Sequence, residues 1–418
     1  MNVDEFKRRE VSRRQFLGRS AQQAAGVAVG VVGLTGVAAA SAKSAGSAND
    51  RIGIGVIGVR NQGRLLSTEF ARMSGVEVRT LCDVDEAQLA PAIREVVDAG
   101  QRPPESVRDF RQILDDPAIH AVVIATPDHW HATMAHLALQ AGKDVYLESP
   151  PTHSLGEGAM LLSAASRSQR IVQVGLQQRS GAHFQSAVKY VQSGKLGNVR
   201  LAKAWIVHRR KSIGRRAVVE APSQVDYAAW LGPAPARPFQ PNRFHFNWRW
   251  FWDYGGGELS HWGVHMLDIA RWGLQAEVPV RVSAVGGKYS FDDDQETPDS
   301  LAVQYDFGGK SILWEQRLWS AHGVEGRSSG VAFHGDQGTL VIDRGGWKVY
   351  DHAEVVTTDA SDLLATHLAN FVDCVRSRQT PNADLSSGLA SAALCHWGNS
   401  AYREGRELRI SQDGQAQA

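Results

Sequence analysis

His261 and His265 stand four residues apart, and Asp268 follows three residues later, in the run Gly255-Gly256-Gly257-Glu258-Leu259-Ser260-His261-Trp262-Gly263-Val264-His265-Met266-Leu267-Asp268. After its glycines the run reads as a helix, where residues three and four apart share a face. An imidazole facing a ligand can take the proton of a carbinol hydroxyl near neutral pH, and a carboxylate on the same face can hold its tautomer. His265 is therefore the expected general base and Asp268 its orienting partner. His261 is expected as a ligand contact or a structural residue. The spacing Glu258-x-x-His261-x-x-x-His265 could offer metal ligands, but the sequence fixes no third and fourth ligand, so no metal is assigned.

A second chemical signature lies near residue 60. Ile52 to Ile57 is a short apolar run, Gly58-Val59-Arg60-Asn61-Gln62-Gly63 is a turn, and a helix is predicted from Arg64. The next predicted strand, Val76 to Leu81, ends at Cys82-Asp83, with Asp83 twenty residues after Gly63. A glycine turn opening a helix binds a pyrophosphate, and an acid at this distance accepts from the adenosine ribose hydroxyls. A carboxylate there repels a 2′-phosphate, which favours NAD over NADP. Arg60 occupies the place of the usual second glycine and brings a guanidinium that can meet phosphate. The literal match Gly53-x-Gly55-x-x-Gly58 lies inside the strand and is a decoy.

These residues need a parallel sheet to position them. Further predicted strands, Ala121 to Ala125, Asp144 to Leu147 and Ile171 to Val174, alternate with helices at Ala132 to Gln140 and after the capping box Ser154-Leu155-Gly156-Glu157. The strands end in Thr126-Pro127-Asp128-His129-Trp130-His131 and Glu148-Ser149-Pro150-Pro151, polar motifs at the carboxyl ends where such sheets bind ligands. Seven of the twelve tryptophans fall between Trp205 and Trp272, and about three of those seven are expected to reach a sugar-sized pocket.

Through Thr126 to His131, Glu148-Ser149-Pro150, Trp230-Leu231-Gly232-Pro233 and Gly255 to Trp272, the chain resembles the Gfo/Idh/MocA superfamily of glucose–fructose oxidoreductase and inositol dehydrogenase relatives. The resemblance covers roughly residues 51 to 409. It implies an α/β fold, with an N-terminal Rossmann dinucleotide-binding domain and a C-terminal α/β domain carrying an open, mostly antiparallel sheet that often mediates oligomerisation. It also implies hydride transfer at a sugar or cyclitol carbinol. By this resemblance Gly58, Arg60, Asn61 and Gly63 hold the pyrophosphate, Asp83 the adenosine ribose, and Thr126, Pro127 and His131 line the nicotinamide side with Glu148. The family's lysine, which orients the substrate hydroxyl and nicotinamide ribose, is replaced by Ser149. Its aspartate four residues before the catalytic histidine is replaced by His261, which could supply charge as an imidazolium.

The N-terminus stands outside this fold. Ser12-Arg13-Arg14-Gln15-Phe16-Leu17-Gly18 is a twin-arginine export motif, followed by a weakly apolar stretch to Ala40 and a small-residue cleavage site at Ala40-Ser41-Ala42. That stretch is too short and too rich in glycine for stable membrane insertion. The expected organisation is a signal peptide at 1–42, a linker at 43–50, the Rossmann domain at 51–175, the second domain at 176–411 and a tail at 412–418, in an exported or periplasmic homo-oligomer. A net charge of +1 gives no field for nucleic acid, and His208 to Lys211 with Arg215-Arg216 reads as a solvated loop. Asp292-Asp293-Asp294 lacks calcium-loop spacing and reads as a solvated turn. Cys82, Cys374 and Cys395 have no zinc spacing and read as small core residues.

Overall fold

The computed structural model describes residues 51–350, 356–358 and 361–417. The signal-peptide and linker expectations, 1–50, lie outside the described residues. β1 (Ile52–Ile57) is buried along its whole length, as a strand covered on both faces must be. It is followed by α1 (Gln62–Ala71), β2 (Val76–Cys82), α2 (Glu86–Asp98), β3 (Glu105–Val107), α3 (Arg111–Asp115), β4 (Ala121–Ile124), α4 (Asp128–Gln140), β5 (Asp144–Leu147), α5 (Gly156–Ser168) and β6 (Val172–Val174). The six strands form a parallel sheet in the order β3-β2-β1-β4-β5-β6. The order reverses between β1 and β4, which opens a crevice at the strands' carboxyl ends.

Two glycines make the turn after β1. A Cβ on Gly63 would lie 1.8 Å from the Gly58 carbonyl oxygen, so α1 packs this closely only with glycine there. Gly58 has φ of 81°, and a Cβ would meet the Ala125 carbonyl oxygen at 2.8 Å. Asn61, at φ of 45°, occupies the left-handed region that asparagine tolerates. Arg60 is not among the positive-φ residues, so its backbone accepts a side chain where the common fingerprint has glycine.

The second domain opens with α6 (Ala182–Gln192) and β7 (Leu201–Val207). β7 joins a ten-stranded sheet that is antiparallel except where it pairs with Ser311–Arg317. A long irregular segment then crosses to the first domain, carrying the short α7 (Tyr227–Leu231). There Val225 bridges to Asp85, Glu86 N–H donates to Gln224 O at 3.2 Å, and Asp226 N–H donates to Val84 O at 2.9 Å. This strap has its own aromatic core of Trp230, Phe239, Phe244, Trp250, Phe251 and Tyr254.

α8 (Val264–Leu274), α9 (Leu363–Ser377) and α10 (Leu385–Glu404) complete the helices. α8 and α10 cover one face of the large sheet, and their apolar residues share a core with Leu161 and Val174 of the first domain. α9, within the range expected for the second domain, packs Leu368, Phe371 and Val372 against Ile54 and Phe70 of the first. An amphipathic pattern marks a helix's buried face without saying which sheet it covers. Within the expected tail, Ala416–Gln417 pairs with Arg409–Ile410.

The acidic run is not a solvated turn throughout. Asp293 is buried and accepts from Ser212 Oγ at 2.8 Å and Ile213 N–H at 2.9 Å, while Asp294 accepts from Arg216 N–H at 2.8 Å. These carboxylates satisfy loop donors that no secondary structure pairs. All three cysteines are buried and free. No helix among the described residues is long and apolar enough to cross a membrane.

Candidate active site

A cleft of about 500 Å³ lies at the carboxyl ends of β1, β4 and β5, between the first domain, the strap and the start of α8. Gly58, Arg60 and Asn61 line one end with Asp83, whose Oδ2 accepts from Val59 N–H at 2.9 Å and Oδ1 from Asp85 N–H at 3.0 Å. These bonds fix the carboxylate toward the turn and leave lone pairs for ribose hydroxyls. Burial pushes the Asp83 carboxyl up to about 6. Arg60 reaches the same cleft and makes no ion pair with any described residue. Gly63 is not at the surface of the cleft; its part is to let α1 approach.

Thr126 and Pro127 continue the wall, and the buried Thr126 Oγ1 has no hydrogen-bond partner. An orphaned hydroxyl at this depth suits a bound ligand's polar atom. The helix after β4 begins at Asp128, so His131 sits at the end of its first turn rather than on a loop. Both His131 nitrogens face carbonyl oxygens, Pro150 O at 2.6 Å and Thr126 O at 2.8 Å. His131 therefore staples the two strand-end loops together. Glu148 Oε1 accepts from Gln62 Nε2 at 2.9 Å, and burial raises its carboxyl to about 7. The first domain thus has the features a nicotinamide dinucleotide needs: a turn tightened by Gly58 and Gly63, a ribose acid and an unpaired hydroxyl.

Across the cleft, Leu259–Gly263 is a π-helical turn, and regular α-helix begins only at Val264. The wider turn aims His261 into the cleft, while His265 Nε2 lies 3.3 Å from Ser149 Oγ. Ser149 lines the cleft, whereas His265 is not at the cleft surface and stands behind that hydroxyl. Burial first, then Arg344, pushes the His265 imidazole down to about 3, which keeps it neutral and unprotonated at working pH.

Asp268 does not orient His265. His265 Nδ1 has no partner, and both Asp268 oxygens are taken by Arg179, at 2.8 and 2.9 Å, with Ser391 Oγ at 2.6 Å on Oδ1. The two residues share a helix, but the Arg179 fork draws the carboxylate toward the end of β6. His261 is not an imidazolium either. Burial and then Arg249 hold its pKa well below the ordinary value, and Arg249 Nη1 meets its Nε2. Glu258 is likewise committed elsewhere, to Arg210 at 2.8 Å and His208 Nδ1 at 2.9 Å. Those two members of the basic run are therefore partly buried partners of a buried carboxylate rather than parts of a fully solvated loop. Among the described residues no group of three or more His, Cys, Asp or Glu side chains is set to hold a metal.

Two of the seven tryptophans, Trp230 and Trp248, line the cleft. Trp205 packs into the sheet and Trp250 into the strap core, because the same aromatic density builds both. Gln62, Arg179 and His245 were not foreseen. Gln62 adjoins the glycine turn, whereas Arg179 and His245 gain their partners only through tertiary structure. His245 Nε2 lies 3.1 Å from Asp85 Oδ2 and ties the strap to the ribose end.

Residues 52–176 match the oxidoreductase family's NAD-binding Rossmann fold, and residues 203–417 match its C-terminal alpha/beta domain, both of the Gfo/Idh/MocA type. The chain belongs to the Gfo/Idh/MocA oxidoreductase family. The uncharacterized oxidoreductase YrbE of Bacillus subtilis is 29% identical over 375 residues, 88% of this chain and 95% of that protein. A glycosyl hydrolase family 109 protein of Shewanella pealeana is 27% identical over 163 residues, 38% of this chain, and the match spans only 36% of that relative's length. Among solved structures, levoglucosan dehydrogenase in complex with NADH and levoglucosan superposes with a TM-score of 0.67 at 19% identity, covering 87% of this chain and all (100%) of that one.

Asp268→Asn removes the anion that Arg179 was buried against. Denaturant unfolding should show a loss of about 3–5 kcal/mol, whereas Ser391→Ala, which removes one hydrogen bond, should lose about 1 kcal/mol. Equal losses would show that Asp268 is not held chiefly by the arginine.

Proposed function

We propose that this protein is an exported oxidoreductase that retains NAD and acts on the carbinol of a sugar, a cyclitol or a glycoside. One observation carries the reading: His265 meets Ser149 at the carboxyl end of β5, and Ser149 lines the cleft that also holds Asp83 and the Gly58–Gly63 turn. The residues fit the cofactor. Gly58, Arg60 and Asn61 would receive its phosphates, Asp83 the ribose hydroxyls, and Thr126, Pro127 and Glu148 the nicotinamide side. When bound, NAD supplies a hydride acceptor for the carbinol carbon. The carbinol oxygen would lie beside Ser149 Oγ, and neutral His265 would take its proton directly or through that hydroxyl. Asp268 acts at one remove, by anchoring the helix.

Export is read from Arg13-Arg14 and the segment after them. Outside the cytoplasm there is no free NAD pool, so the cofactor must be recycled in place. The strap's bonds to Val84, Asp85 and Glu86 close over the ribose end and favour retention. Recycling requires a second sugar, or oxidation and re-reduction of one substrate during epimerisation or glycoside cleavage. The likeness to glycosyl hydrolase family 109 proteins favours the redox-neutral glycoside route as the second reading. Assembly as a homo-oligomer belongs to the same proposal; Val285 and Tyr289, 74% and 70% exposed, leave apolar surface for it.

NAD-loaded protein mixed with a panel of sugars and glycosides should develop reduced-nicotinamide absorbance with at least one of them. His265→Ala should slow that transfer by about 10²–10⁴-fold. Equal rates in the variant would remove His265 from the chemistry. Replacing Arg13 and Arg14 together by lysine should leave the precursor in the cytoplasm, and normal export of that double variant would refute the twin-arginine assignment.

A further inference from the structure

We propose that the substrate is an acidic sugar, and that Arg249 is the receptor for its carboxylate. The inference rests on the cleft being a sugar site and adds the chemical class of the sugar. Arg249 is only 8% exposed and lines the cleft beside His261. Its Nε donates to Phe246 O at 2.7 Å and its Nη1 meets His261 Nε2, while Nη2 makes no hydrogen bond to any described residue. The guanidinium lies on the Phe246 ring, 4.0 Å from its centroid, and 5.1 Å from that of Trp248. Packing and one backbone bond thus fix a planar fork with donors left over.

What the fork lacks is an anion. Glu258 is engaged by Arg210 and His208, and Asp128 makes no hydrogen bond to Arg249. The other arginines of the cleft are differently provided for. Arg108 pairs with Glu86 at 2.7 Å and Arg111 with Asp109 at 3.1 Å, while Arg60 belongs to the phosphate turn. A buried, unpaired guanidinium is costly, and a two-oxygen anion matches its donors best. Burial and nearby cations disfavour further positive charge around the fork. Burial lowers Arg249 to about 10, and burial together with nearby arginines lowers His261 and His265. A substrate carboxylate would relieve all three and make His265 a stronger base during turnover.

The test is calorimetric titration of the NADH-loaded protein with matched pairs: glucose and glucuronate, galactose and galacturonate, mannose and mannuronate. In at least one pair the uronate should bind more tightly than its aldose by about tenfold or more, the factor expected of one charge-assisted pair. Arg249→Gln should erase that preference and keep NADH affinity within about twofold, which also certifies its fold; Arg249→Lys should keep part of the preference. Aldoses binding as well as their uronates would overturn the proposal while leaving the sugar site intact. Loss of NADH affinity in Arg249→Gln, with the uronate preference retained, would make Arg249 a cofactor phosphate ligand instead. Failure of every sugar to bind would overturn the proposal together with the sugar site on which it rests.

Discussion

The site depends on one buried ion pair. Asp268 is carried by α8 and Arg179 by the turn after β6, so their two parallel hydrogen bonds join the histidine-bearing helix of the second domain to the sheet edge of the first. Ser391 of α10 adds a third donor and ties the neighbouring helix to the same carboxylate. Removing either charge leaves the other stranded in apolar surroundings, so the pair holds one geometry rather than a range of them. The consequence reaches one turn back along α8. His265 stays within reach of Ser149, and both domains contribute to one proton-accepting group.

The electrostatics of the cleft divide along its length. At the turn end an acid and an arginine, Asp83 and Arg60, face a region suited to ribose and phosphate. At the α8 end His261 and Arg249 line the cleft and His265 stands behind Ser149, with no carboxylate hydrogen-bonded to any of the three. Ser149 supplies a hydroxyl, and Arg249 brings positive charge from a different element. The strap that carries Arg249 also touches Asp85 through His245, so closing over the ribose end and presenting this arginine are functions of the same segment.

Much of this was legible in the sequence wherever the signal is local. The first strand and the glycine turn lie where they were read, and Asp83 lines the cleft at the end of the second strand, because adjacent elements take their spacing from strand and helix geometry. The parallel sheet followed from the alternation of apolar strands with helices. The meeting of Ser149 and His265, 116 residues apart, came only through resemblance to a family. Asp268 misled because helical spacing suggested a partner three residues away, whereas the arginine that claims it lies 89 residues back. The π turn at Leu259–Gly263 has no signature in residue types, and α9's choice of sheet depends on how the chain returns. Asp293 and Asp294 were misread because loop donors waiting for a carboxylate cannot be seen in one dimension.

The proposed function requires the cleft to hold a nicotinamide dinucleotide and to keep it after export. The most direct measurement is the absorbance and mass spectrum of the small molecules freed by denaturing protein purified from the exported fraction. The expected content is NAD or NADH, about one per chain, with little NADP. Release of NADP in its place would contradict the role given to Asp83, and release of no nucleotide at all would contradict the proposed function itself.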